Sequence, residues 1–395
     1  MLKLLIIADD FTGALDTGVQ FSSRGAKTKV ITDSQYDFSR ADGLNVLVFD
    51  SETRHLAPEK AYEIINDFVK RAATKFSYIY KKTDSGLRGN IGSELAAAMD
   101  ALNLEKIAFI PAFPKTNRVT KNGVHYIDGV PVAKSVFGQD PFEPVKNSDV
   151  KTILAEQTDK KGIQVYDSES DEDMKKIADS LGLEGLRLTA GCAGFAEVLA
   201  NKLGFNGKVE NIPSMPEKFF LICGSVNPVT QKQINYAASH GFKRICLSVE
   251  EKLNENWPES QDCEQSAKTW LKEIENSHAI LDANNPNETQ ETEEYIKSHN
   301  LNINQVRVRI SHAITSAAKV LLDNGLEARL MCVGGDTLLA LMQYVGVREL
   351  VPICEIEKGV VLTSFSYNNK NYSIMTKSGG FGDEDLLVKI AENNK

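Results

Sequence analysis

No run in this chain is apolar for long enough to span a membrane. The first one, in MLKLLIIADD, meets two aspartates within ten residues, whereas a spanning helix needs roughly 20 apolar residues. It also lacks a small-residue cleavage site, so it is expected to be a first strand and not a signal peptide. Long basic runs are missing too, and the formal net charge is -9; neither a nucleic-acid nor a membrane partner is expected. Local arginines and lysines still leave room for an anionic small molecule. Cysteines are few and scattered. Cys192, Cys223, Cys246, Cys263, Cys332 and Cys354 form no C-x-x-C pair, and neither they nor the histidines have zinc-like spacing. Reduced, mostly buried thiols in a cytoplasmic protein are the expectation. No G-x-x-x-x-G-K-[ST] occurs, which removes a Walker-type loop. No G-x-G-x-x-G follows the first apolar run, which removes the nicotinamide fingerprint. Internal repeats and low-complexity segments are absent as well.

What is present is a repeated transition from short apolar runs to polar, glycine-bearing turns. LLIIADDFTGA and YIYKKTDSGLRGN do this in the first half; FFLICGSVNPVT, LMCVGGDTLLA and YSIMTKSGGFGDEDL do it in the second. Each predicts a buried strand, a tight turn and a helix start. With 395 residues, one core is too few, so two domains are expected. Strand patterns at 2–8, 28–32, 45–49, 78–82 and 106–110 alternate with helical patterns at 12–24, 58–73 and 89–102, the rhythm of a mostly parallel sheet. Residues 111–144 break it with a Pro/Gly/Asn-rich loop, hairpin-like at YIDGVPV. Residues 206–218, with two prolines and little periodicity, read as the linker. The fold class expected is α/β, with domains 1–208 and 217–395, each a mostly parallel sheet flanked by helices. The active site is expected in the interdomain cleft, because open α/β sheets bind ligands beyond their carboxyl strand ends.

In the first half, Asp9 and Asp10 end the first strand. Such a pair could hold Mg2+ or orient a hydroxyl. Strand side chains alternate, so one should face the crevice and the other cap the next helix, with Thr12. Lys82, Thr83, Asp84, Ser85 and Arg88 form a denser cluster. Asp84 could be a general base, and Lys82 and Arg88 could neutralise a carboxylate or a phosphoryl group. The bland alternative is a capping Asp84 and a surface ion pair on Arg88 worth little. Gly86, Gly89 and Gly92 favour function, since they let backbone approach a ligand. Arg54, beyond the third strand, is a further cation on the same sheet edge. Arg118 and His125 lie in the long loop. His125 could exchange protons near neutral pH, though a hydrogen-bonded loop histidine is the commoner case.

In the second half, GSVN (with Ser225 and Asn227), GGDT (Gly334, Gly335, Asp336, Thr337) and SGGFG (with Gly379 and Gly380) join strands to polar turns. Backbone N–H groups at such turns bind phosphate oxygens. Asp336 could hold a metal ion or its water. Any one of these is a common tight turn; three in one domain carry more weight.

Together these motifs resemble the four-carbon acid sugar kinase family of threonate, erythronate and 3-oxo-tetronate kinases. The resemblance spans nearly the whole chain: ADDFTGALD, KKTDSGLRGNIG, PAFP, DPFEPVKNSDV, GSVNPVTQKQI, GGDT and KSGGFG occur in order. It implies an N-terminal substrate domain, a C-terminal nucleotide domain, and transfer of the γ-phosphoryl of ATP, with Mg2+, to the terminal hydroxyl of an acid sugar. It implies that Asp9 or Asp10, Arg54 and the 82–85 segment contact the acid, and that Ser225, the GGDT residues, Gly379 and Gly380 contact ATP. Asp84 is the expected base, with Asp10 and Lys82 assisting, and Arg54 and Lys82 are expected to hold the acid's carboxylate. Gly86 and Asn117 depart from the threonine and glycine common in the family, so the resemblance does not name the acid sugar. Metal ligands and a homo-oligomeric state are left open. A metal-dependent sugar-acid lyase or isomerase would use the acidic residues but leave the glycine turns idle. A non-catalytic sensor would bind a metabolite without releasing ADP.

Overall fold

Apolar runs buried on both faces make the strands. The computed structural model describes residues 3–140, 143–209, 212–378 and 380–392. In it β1 (Leu4–Ala8) is buried at every position, as a parallel strand covered on both faces requires. β2 (Thr28–Ile31), β3 (Val46–Asp50), β4 (Tyr78–Lys82) and β5 (Ile107–Ile110) follow, separated by the helices Phe11–Ser22, Pro58–Ala72 and Ile91–Leu102. The 111–144 loop then folds β6 (Arg118–Lys121), β7 (Val124–Ile127) and β8 (Val130–Pro131) into a small antiparallel sheet of their own. β9 (Ile163–Val165) and β10 (Leu188–Gly191) return to the main sheet. Its order is β2-β3-β1-β4-β10-β5-β9, with every one of these pairings parallel. β1 is central. The chain leaves it first toward β2 and β3, then crosses to β4 on its other side. That reversal opens a crevice beyond the carboxyl ends of β3, β1 and β4. Beneath it Phe49 and Phe68 stack at 3.8 Å, in a core shared with Leu5, Ile7, Leu95 and Phe109.

The second unit repeats the logic with β11 (Phe219–Cys223), β12 (Lys243–Cys246), β13 (Ala279–Asp282), β14 (Arg329–Val333), β16 (Val360–Tyr367) and β17 (Lys370–Lys377); β15 (Glu349–Glu357) comes between β14 and β16 in the chain. The order β12-β13-β11-β14-β17-β16 is parallel, except for the β16–β17 hairpin. That hairpin turns at Asn368 and Asn369, both at positive φ, the backbone a two-residue primed turn needs.

By compactness the chain divides into Met1–Glu210 with Glu349–Cys354, and Asn211–Arg348 with Glu355–Lys395. The division expected at 1–208 and 217–395 is thus crossed by one segment. Glu349 and Leu350 pair antiparallel with Ile31 and Val30, and Glu349 bonds Lys29 at 2.7 Å and also Arg40. The run ELVPICEIE carries a proline and three glutamates, which mask its strand signal. No helix among the described residues is long and apolar enough to cross a membrane.

Candidate active site

Three adjacent strand ends meet at one arginine. Arg54, four residues beyond β3, donates from Nε to Asp9 Oδ2 at 2.8 Å and from Nη1 to Asp10 Oδ2 at 2.7 Å, both beyond β1. Its Nη2 lies 3.9 Å from Asp84 Oδ1, beyond β4. Arg88 grips Asp84 from the other side, Nε to Oδ2 at 2.8 Å and Nη2 to Oδ1 at 3.1 Å, and reaches Asp140 from Nη1 at 3.0 Å. The backbone is shaped to allow this. Asn90 donates to the carbonyls of Thr53 and Leu56 at 2.9 and 2.8 Å, tying the two loops together. Gly89 sits at φ +83, and a Cβ there would come within 3.0 Å of Arg54 Cγ. Only glycine serves both demands.

Charge balance fixes the protonation of the cluster. Burial works against the charges of Asp9 and Asp84. For Asp9 it is outweighed by Arg54, Lys81 and Lys82, and its carboxyl stays below the usual range. For Asp84 it is outweighed by Arg54 and Arg88, and that carboxyl is held far below. Burial also opposes the Arg54 charge, yet Asp10, Asp9 and Asp84 keep the guanidinium protonated. Asp10 is the helix cap expected of one aspartate, though its oxygen accepts from Gly13 N at 2.9 Å and not with help from Thr12. Its side chain is 24% exposed, against 2% for Asp9 and 9% for Asp84, so it is the aspartate a ligand reaches most easily.

Lys82 and Lys81 point to opposite faces of β4, as strand neighbours must. Lys82 donates to Thr83 O at 2.9 Å. A Cβ on Gly13 would lie 2.8 Å from Lys82 Nζ and 2.5 Å from Asp10 Oδ1, so these two groups converge over a glycine. Lys81 instead bonds Glu94 at 2.8 Å with both side chains buried, and Glu94 also accepts from Thr53. The sequence reading did not single out this pair. Its signal was Glu94, a carboxylate flanked by small and apolar residues in the first turn of the helix IGSELAAAMDAL.

Ser85 accepts from Arg118, and its carbonyl is 3.0 Å from His125 Nε2. The other His125 nitrogen is 2.9 Å from Thr120 Oγ1. Burial pushes this imidazole down to about 4, so it is neutral near pH 7 and holds the turn in place. Asp9 Oδ1, Thr83 Oγ1 and Arg118 Nε are buried without a hydrogen-bond partner among the described residues. Native interiors leave few such atoms, and these three belong to residues of one turn cluster that could engage a polar ligand.

In the second unit, the GSVN turn is braced by its own side chains. Ser225 Oγ accepts from Asn227 N at 3.2 Å, and Asn227 caps the helix Pro228–Ser239 through Val229 N at 2.9 Å. Gln231 and Asn284 donate to Ser225 O at 2.8 and 3.0 Å. Gly334 has φ +92 and starts the helix Gly335–Tyr344, whose first turn has no side-chain cap. A Cβ on Gly224 or Gly334 would lie 3.5 or 3.8 Å from Thr337 Oγ1, so the GSVN and GGDT turns are neighbours. This uncapped, glycine-lined helix start suits phosphate oxygens. Asp336 is different: its side chain is 92% exposed, 3.9 Å from Arg307. Gly380 is exposed with open space around it, and Gly379 lies outside the described residues. Lys377, not named from the sequence, is buried at the end of β17. Its carbonyl accepts from Gly334 N at 2.9 Å, and burial lowers its ammonium to about 8.

Known proteins share this organisation. A family model described as a sugar-binding N-terminal domain matches residues 4–163, and one described as a nucleotide-binding C-terminal domain matches residues 220–387. The chain is 25% identical to a D-threonate kinase of Salmonella typhimurium, over 98% of this chain and 97% of that one. It is 25% identical to a D-erythronate kinase of Heliobacterium modesticaldum, over 99% and 98%. It is 24% identical to a 3-oxo-tetronate kinase of Pseudomonas savastanoi pv. phaseolicola, over 97% and 95%. Two crystal structures have the same fold. One, described as a putative tRNA synthase from Salmonella typhimurium LT2, superposes with a TM-score of 0.82 at 21% identity, over 99% of each chain. The other, a Haemophilus influenzae protein, superposes with a TM-score of 0.75 at 20% identity, over 98% of this chain and 99% of that one. With both domain types matched in order, and relatives aligned from end to end, the chain belongs to the four-carbon acid sugar kinase family.

Proposed function

We propose that this protein is an ATP-dependent kinase that phosphorylates the terminal hydroxyl of a four-carbon acid sugar of the threonate, erythronate or 3-oxo-tetronate type. The observation that carries the reading is the gathering of Asp9, Asp10 and Asp84 around Arg54 at three adjacent strand ends, in a chain whose relatives are named as such kinases. Asp10 takes the proton of the attacking hydroxyl. Asp84, expected to do so from the sequence, is held so far down by Arg54 and Arg88 that it is a weak proton acceptor; it orients the two arginines instead. Arg54 has its Nε and Nη1 on Asp9 and Asp10 and serves as the brace of the aspartates. Lys82 and Arg118 are left to hold the acid's carboxylate, with Thr83 and Ser85 beside it.

The hydroxyls of Ser225 and Thr337 and the backbone N–H groups of Gly335 and Gly380 would hold ATP, while Asn227 and Gly334, whose own N–H groups are bonded to Ser225 Oγ and Lys377 O, would shape the two turns. When bound, ATP with Mg2+ supplies the γ-phosphoryl group and neutralises its developing charge. No three His, Cys, Asp or Glu side chains among the described residues are grouped as a metal cage. That fits a Mg2+ held mainly by nucleotide phosphates.

The test is ADP release with MgATP against D-threonate, L-threonate, D-erythronate and 3-oxo-tetronate. Release that depends on one of them supports the reading and names the acceptor; none with any acid, while ATP binds, moves the acceptor out of this class. Asp10→Asn should lower kcat by about 100-fold or more with the KM for ATP unchanged. A fall below tenfold would return the proton to another group.

A further inference from the structure

The reading above leaves one side chain at the acid site unused. Phe137 stands in the loop after β8, where Val145 N donates to its carbonyl at 3.0 Å. The guanidinium carbons of Arg88 and Arg118 lie 5.1 and 5.2 Å from its ring centroid, within cation–π reach. The same ring fills the space beside Gly86. A Cβ on Gly86 would fall 2.3 Å from Phe137 Cδ1 and 2.4 Å from Cε1. Gly86 is not among the positive-φ glycines, so glycine is required there by the ring and not by the backbone. Gly86 in turn follows Ser85, which Arg118 bonds, and Asp84, which Arg88 bonds. One aromatic ring thus packs against the turn, against Arg118, which is proposed to hold the acid, and against Arg88, which holds Asp84.

We propose that Phe137 determines acceptor length. It closes the acid-sugar site beside Gly86 and steadies Arg88 and Arg118, so that a four-carbon acid fits and a longer aldonate does not. The inference rests on the kinase reading. A single methylene in a closed pocket is worth about 10-fold to 200-fold in discrimination, enough to separate four carbons from five or six.

The experiment compares the full-length protein with its Phe137→Ala, Phe137→Leu, Gly86→Ala and Gly86→Ala/Phe137→Ala variants. ADP release is measured with D-threonate, D-erythronate, D-ribonate and D-gluconate. In Phe137→Ala the kcat/KM ratio of four-carbon over longer acids should fall by about tenfold or more. Phe137→Leu, which keeps most of the bulk, should retain the ratio while raising KM. Gly86→Ala should cost kcat/KM heavily alone and little beside Phe137→Ala, because the added methyl then has room. Phe137→Ala that loses thermal stability but keeps the length ranking would overturn the proposal, as would a Gly86→Ala cost equal in both backgrounds. A wild-type protein inactive on all four acids, and on L-threonate and 3-oxo-tetronate as well, would overturn the kinase reading and this inference with it; an active one with an unchanged ranking in Phe137→Ala overturns this inference alone.

Discussion

Arg54 binds the first unit's strand ends together, and its removal should be felt first in stability. It is nearly buried and faces Asp9, Asp10 and Asp84. Taking the cation away leaves carboxylates in a site that resists their charge. Breaking a buried ion pair by deleting one partner costs about 3–5 kcal/mol, so Arg54→Ala should lower unfolding stability by about that much in urea titrations at pH 7. A loss under about 1 kcal/mol would mean that solvent replaces the guanidinium and that the cluster is not closed. At this scale the sequence showed which residues matter but not whom they face. Asp9, Asp10, Arg54, Asp84 and Arg88 were legible as strand-end charges. That Arg54 serves the aspartates, that Arg88 takes Asp140 from a loop 52 positions away, and that Lys81 needs Glu94, follow from tertiary placement alone.

Among the elements, the small sheet inside the 111–144 loop has the clearest consequence. His125 on β7 supports Ser85 through its Nε2, which must donate to that carbonyl, leaving Nδ1 to accept from Thr120. Burial lowers the folded pKa to about 4 from 6.5. The unfolded chain therefore binds more protons between these values. The histidine's contribution is fully present above pH 6.5 and is lost as pH falls through 4. Between pH 7 and 4.5 it should remove about 2–3 kcal/mol. Urea unfolding of the wild type and His125→Gln at both pH values checks this: the variant should lose less stability on acidification, and identical losses would show that His125 is protonated in place. Turn chemistry decided what was readable among elements. The Asp-Gly turn of YIDGVPV announced its hairpin. Asn122–Gly123, at φ +50 and +77, carried an equally strong signal that the proline-rich surroundings obscured. The helix Thr289–Ser298 went unread because it buries no residue and so shows no apolar stripe.

Over the whole molecule, the strand–turn–helix pattern was enough to expect two mostly parallel sheets, and the order of charged and glycine turns suggested which would meet each ligand. That division of labour predicts separable binding defects. Gly334 is the place to test it. It sits at φ +92 and ψ 134, a region that side-chain-bearing residues avoid at a cost of about 1–3 kcal/mol. Its N–H is already spent on Lys377 O, while the uncapped helix start behind it is free of side-chain caps. Gly334→Ala should either twist this start away or place a methyl near Thr337 Oγ1, 3.8 Å from the new Cβ. Affinity for a non-hydrolysable ATP analogue, read by calorimetry, should fall by about tenfold or more, the equivalent of 1.4 kcal/mol. Affinity for the acid sugar in the same preparation should stay within about twofold, because the residues proposed to hold it all belong to the first unit. If ATP affinity is unchanged, the GGDT turn is not the phosphate cradle. If both affinities fall together, the two ligands do not have a unit each, and the assignment of roles along the chain has to be redrawn.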